Sequence, residues 1–165
     1  MENQKKKFNV LVFILLLLVF FPAAIIYAIR ALANPNAKPK NGFISRLVYC
    51  IGALLNVAIM LSFDDMIIYM AAPLVVFLAM LAMTILGKVK ADKLKLFTII
   101  YTALLVLIMI PILSFGFWLY LLGTLILLPF AIVGIVRGLG YPAAMAKWTE
   151  ANAECEAATE CEAAE

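Results

Sequence analysis

Adjacent carboxylates, an isolated amide and two thiols among glutamates are the groups in this sequence whose types and spacing suit chemistry. Asp64 and Asp65 stand side by side between two apolar runs, and paired carboxylates bind a cation or share a proton. Asn56 is the one strongly polar amide inside an apolar run. Buried there, its donors and acceptors require partners on a neighbouring helix or on a substrate. Cys155 and Cys161 sit in a repeated Glu-Cys-Glu-Ala-Ala pattern, a composition that invites a metal.

Each of these groups has a plainer reading. Asp64-Asp65 falls where a turn must be, within reach of water. Gly52 lies one helical turn before Asn56, so a small and a polar residue share one stripe and predict a close helix–helix contact. Ala24/Ala28 and Gly134-x-x-x-Gly138 have the same close-approach spacing. In a helix, six residues set Cys155 and Cys161 about 9 Å apart along the axis, too far for a disulfide, and a structural zinc site wants four compact ligands. Histidine is absent, which removes the commonest general base and metal ligand. Cys50 lies in an apolar run, and three cysteines so placed do not make an oxidised framework. The chain is therefore expected to be no enzyme and to have no catalytic, cofactor or metal site.

These residues are carried by unusually apolar elements. Hydrophobic residues make up 67% of the 165 and charged ones only 14%, with a mean hydropathy of +1.09. A soluble domain of this size leaves too much surface facing water to hide that fraction. The solvent must be lipid. A span needs about 20 apolar residues, and five hydrophobic segments qualify, near 8–33, 43–63, 66–86, 96–114 and 117–137. All are expected to be helical, because unpaired backbone groups are too costly in lipid. The fold class is all-α, a polytopic membrane helical bundle, flanked by a basic 1–7 and by a C-terminal flank and acidic tail at 138–165. The stretch 96–136 is too long for one crossing. Pro111 and Ser114-Phe115-Gly116 mark the expected break, with Phe117, Trp118 and Tyr120 as an interfacial belt. Methionines 60, 66, 70, 80 and 83 read as lipid-facing filler, and Pro22, Pro73, Pro111 and Pro129 fall inside four segments.

Charge sets the sidedness. Residues 1–146 hold twelve Lys/Arg against four Asp/Glu, whereas residues 147–165 hold one Lys against six Glu. Lys38, Lys40 and Arg46 flank the first loop, and Lys88, Lys90, Lys93 and Lys95 the third. By the bias of basic residues towards the cytoplasm, loops 34–42 and 87–95 and the C-terminus are expected there. Plasma or bacterial inner membrane is the expected location. Lys5–Lys7 conflicts with this if the first segment crosses. Either the segment dips in and returns at Pro22, or the short N-terminus is exported; the second is favoured, because 26 residues are too few for two crossings. A signal peptide cut after Ala31-Leu32-Ala33 is the rival, and Arg30 beside the cut argues for a retained anchor.

Arg30, Arg46 and Arg137 lie near span ends, where an arginine snorkels to headgroups. Lys38, Lys40, Arg46, Lys88, Lys90, Lys93 and Lys95 are thus candidate contacts to anionic lipid. The expected partners are the bilayer, its anionic headgroups and other membrane helices, in a homo- or hetero-oligomer, and not nucleic acid. The expected role is a non-enzymatic assembly component of a membrane complex. The alternative is a small transporter or channel subunit built on Asn56 and Asp64/Asp65.

Overall fold

The computed structural model describes residues 9–19, 24, 27–28, 38–63, 66–114 and 118–162, and every element among them is helical. In order these are α1 (Val10–Val19), α2 (Phe43–Leu61), α3 (Ile67–Val89), a 3-10 turn (Ala91–Lys93), α4 (Leu94–Ser114) and α5 (Trp118–Glu162). Helices α2 to α5 are each long and apolar enough to cross a membrane. α1, at 10 residues, rises only about 15 Å, half the hydrocarbon core.

The four long helices alternate in direction and pack in a ring, each against the next, with α5 closing on α2. The contact stripes repeat at heptad spacing: Met70, Pro73, Phe77, Met80 and Thr84 on α3, and Leu94, Thr98, Tyr101, Leu105 and Ile108 on α4. A sustained 3.5-residue period is the signature of a gently supercoiled bundle. The stripes are narrow. Only 28–33% of each apolar window is buried inside the protein, so most of each helix presents side chains such as Ile44, Leu55, Ile59, Val106 and Ile110 outward. In water that surface would be prohibitive; in a bilayer it is the solvated face. Met60, Met70 and Met80 are on the inside, not among the lipid-facing filler, because a flexible thioether fills irregular gaps between helices.

Local chemistry sets the helix ends. Gly42 takes a left-handed conformation (φ 73°) before α2, and the Asn41 side-chain oxygen accepts the Phe43 N–H (3.0 Å) in place of a capping residue. At the far end, Ser62 and Phe63 N–H groups close onto Ile59 and Met60, and Met66 N–H onto Phe63 (2.9 Å). Asp64 and Asp65, between them, lie outside the described residues. Pro111 does not break the last apolar stretch. It sits within α4, which runs on to Ser114, and the chain resumes as a helix at Trp118. α5 then continues through Pro129 and Pro142 to Glu162, 45 residues in all, so the span and the acidic tail are one helix.

The first segment departs from expectation. The Asn9 backbone N–H donates to the Tyr27 hydroxyl at 3.1 Å. A straight spanning helix would hold these positions about 27 Å apart, far beyond the reach of a tyrosine. Asn9 and Tyr27 are therefore not the two ends of one straight spanning helix; residues 20–23 and 25–26 between them lie outside the described residues. Pro22, Arg30 and Lys5–Lys7 lie outside the described residues. With the native cysteines replaced by serine, an Asn9→Cys/Tyr27→Cys pair is expected to be joined in membranes by a short bifunctional thiol reagent. A segment running straight across would leave the pair unlinked.

Candidate functional site

Lipid tails are as apolar as leucine, so burial alone gives these helices little reason to associate; close packing and interhelical hydrogen bonds must hold them. Two polar ties do so here, each seated against glycine.

The first is Arg46. Although near the start of α2, its side chain does not reach the surface: it is 1% exposed. Its Nη1 donates to the Thr98 hydroxyl at 2.6 Å, and its Nη2 to the Asn41 carbonyl at 3.3 Å. Thr98 is prepared as an acceptor because its own proton goes to the Leu94 carbonyl (2.8 Å). This bond crosses from α2 to α4, which are not neighbours in the ring. The room comes from α5. A Cβ on Gly134 would run into Arg46 Cγ, and one on Gly138 would stand 2.7 Å from the Thr98 hydroxyl and 3.2 Å from Arg46 Nη1. Gly134 and Gly138 thus form a socket for an arginine. Arg46 is thereby removed from the candidate headgroup contacts, since glycines opposite it open the interior to a side chain that would otherwise snorkel outward. Its Nε has no hydrogen-bond partner among the described residues.

The second tie is Asn56, half-buried on α2. Its amide nitrogen donates to the Tyr120 carbonyl at 3.0 Å and makes a longer 3.5 Å contact with the Thr124 hydroxyl. Gly123 makes the space, because a Cβ there would lie 2.7 Å from the amide nitrogen. Gly52 sits one turn earlier against Leu127, which a Cβ would meet at 2.8 Å. The Gly52/Asn56 stripe does meet another helix, and that helix is α5. Asn56 is engaged with Tyr120 and Thr124 of α5, and Asp64 and Asp65 lie outside the described residues.

Between the two ties lies a ladder of phenols. Tyr49, Tyr101 and Tyr120 are fully buried, with hydroxyls unpartnered among the described residues. Tyr49 meets Phe77 edge-on at 6.0 Å, and buried Cys50 lies 4.0 Å from the Thr84 hydroxyl. The sequence reading passed over Thr98, Thr124, Gly42 and Gly123. Their signal was available: threonine and glycine are the residues that let transmembrane helices approach and bond, and 98, 124, 134 and 138 fall on the buried stripes.

The remaining basic candidates sit at one end of the ring. Lys38, Lys40, Lys88, Lys90, Lys93 and Lys95 are all exposed. Lys88 Nζ stands 4.6 Å over the Phe43 ring and Lys38 Nζ 5.7 Å over Trp148. The side chains of Cys155 and Cys161 lie outside the described residues.

Substitution separates socket from surface. Gly134→Ala is expected to lower the thermal midpoint in detergent, because the new methyl strikes the root of Arg46, which cannot swing aside. Gly140→Ala, where nothing lies within 4 Å, is expected to leave the midpoint unchanged or raise it through helix propensity. Asn56→Leu is expected to cost about 0.6–1.7 kcal/mol, the range for interhelical hydrogen bonds in membranes, measurable by steric trapping in bilayers.

Compared with known proteins, the chain matches no family model, and it matches no curated protein and no solved structure.

Proposed function

We propose that this chain is a non-enzymatic structural or assembly component of a membrane complex. The observation that carries this reading is that Arg46, the one buried charged residue among the described residues, and the half-buried Asn56 are both engaged with the protein's own helices in sockets of glycine. Such an arrangement fixes helix positions and presents a constant apolar exterior for other helices to pack on. Around it, most of each span window faces outward.

The basic end is proposed to face the cytoplasm, since Lys38, Lys40, Lys88, Lys90, Lys93, Lys95 and Arg137 collect there and basic residues favour that side. A cysteine placed at Lys93 in a cysteine-free background is expected to react with a membrane-impermeant maleimide only after the cytoplasmic side is opened. Labelling of intact cells would reverse the assignment.

One observation favours the second reading, a small transporter or channel subunit. The unpartnered hydroxyls of Tyr49, Tyr101 and Tyr120, with Arg46 Nε, give the interior a polar thread, and buried polar groups in spans commonly mark a conduction or relay path. The readings part in one pair of measurements. Assembly expects the affinity-purified protein to retain a stoichiometric membrane partner, with no ion or proton flux in reconstituted vesicles. Flux that disappears on Tyr101→Phe, Asn56→Leu or Asp64→Asn would replace assembly with transport.

A further inference from the structure

Beside the Arg46 socket, the basic end holds an open recess of about 570 Å³, lined by residues 39–45, Lys40 among them, together with Lys88, Arg137 and Tyr141. We propose that this recess is a binding site for the phosphate-bearing headgroup of an anionic glycerophospholipid. It is independent of the assembly reading, since it requires only that the helices lie in a bilayer.

Four features point to this ligand. The first is charge. Lys40, Lys88 and Arg137 come from three different segments and converge on one space, and no carboxylate is among its lining residues. Arg46 adds a fourth positive charge immediately behind the wall, because its Nη2 is bonded to the carbonyl of Asn41, itself a lining residue. None of the four pairs with an acid among the described residues, so their field is uncompensated at this spot. Basic recesses between transmembrane helices are where anionic headgroups dock.

The second feature is the donor set. The left-handed turn at Gly42 starts α2 on the recess wall. Of its first amides, Phe43 N–H is taken by Asn41 and Arg46 N–H by Gly42. The N–H groups of Ile44 and Ser45 have no intrahelical acceptor. Both residues line the recess, where the positive end of the helix favours an anion.

Rigidity is the third. A Cβ on Gly42 would stand 2.7 Å from the Gly134 carbonyl and 3.0 Å from Arg137 Cβ, so the backbone carrying Arg137 is pressed against the turn that carries the amides. The Phe43 ring holds the Lys88 ammonium at 4.6 Å, fixing one cation at the rim. The volume is that of a small-molecule site, commonly about 300–1,000 Å³.

The fourth feature separates a lipid from free phosphate. Ile44 lines the recess and is also 69% exposed on the outer face of α2, and Phe43 and Pro39 line it as well. The polar space is therefore continuous with the lipid-facing surface, and it lies where the apolar part of α2 begins and that of α3 ends. A headgroup can enter there while its glycerol and acyl chains remain in the bilayer.

The test uses the full-length protein in zwitterionic detergent, titrated with short-chain phosphatidylglycerol and read by native mass spectrometry. Short-chain phosphatidylcholine and inorganic phosphate are titrated in parallel. Phosphatidylglycerol is expected to bind at one site, well ahead of both comparators. Lys88→Gln/Arg137→Gln is expected to weaken it by about tenfold or more, whereas Lys93→Gln, equally exposed but outside the recess, leaves it unchanged. Lys40→Gln/Tyr141→Phe, which alters only rim groups and spares the helix contacts, is expected to weaken it several-fold should the first variant fail to fold. Equal losses from Lys93→Gln and from the recess variants would mean diffuse surface charge and overturn the site. Inorganic phosphate binding as tightly as the lipid would overturn the lipid as its ligand.

Discussion

A guanidinium held between helices, with glycine in place of side chains opposite it, is the contact on which this bundle turns. In water, helices associate because their apolar faces leave solvent. In lipid that force is largely missing, and a helix face of leucine and isoleucine is as content with acyl chains as with another helix. Something else must choose which faces meet and in what register. Arg46 does this for three helices at once: it springs from α2, bonds to Thr98 on α4 across the diagonal, and occupies the hollow of Gly134 and Gly138 on α5. A charge so placed is costly if displaced into hydrocarbon, so the register that houses it is strongly selected. Asn56 repeats the device nearer mid-span, with Gly123 as its hollow and the Tyr120 carbonyl as its acceptor.

The spans were legible in the sequence because hydrocarbon thickness imposes a length and few polar residues interrupt it. The close-approach positions were legible too, in that Gly52, Gly134 and Gly138 all meet other helices. What each glycine meets could not be read, since that depends on the rotation and neighbours of another helix. Arg46 illustrates the limit. Judged along its own helix it lies a turn from the end and has every reason to reach outward; only the cavity on α5 reverses that choice. Of the expected break, the helix end falls at Ser114 and not at Pro111, since a proline in a membrane helix is tolerated wherever neighbours re-satisfy the freed carbonyl. The length and hydrophobicity of the first segment carry no information about whether Asn9 and Tyr27 meet, a contact that rests on one phenol.

The same features organise the exterior into two unlike regions. Around the waist, branched apolar side chains face outward. At one end, lysines from two connections and Arg137 from α5 gather, with aromatic rings of Phe43 and Trp148 beneath two of the ammonium groups. The left-handed turn at Gly42 belongs to both regions: it lets α2 start close against α5, and it exposes backbone amides beside the cations. Packing and surface chemistry thus meet in one short stretch, residues 41–46, through the Asn41 cap, the left-handed Gly42 and the buried Arg46.

The unbroken course of α5 carries a mechanical implication. Past Arg137, some 25 residues remain before Glu162, a rise of about 37 Å, and Lys38 leans on Trp148 partway along. A tethered tail would sample the whole hemisphere beneath the membrane. A helix seated at its base against Arg46 and braced on its flank by Lys38 behaves as a mast, carrying the backbone as far as Glu162 along one continuous helix.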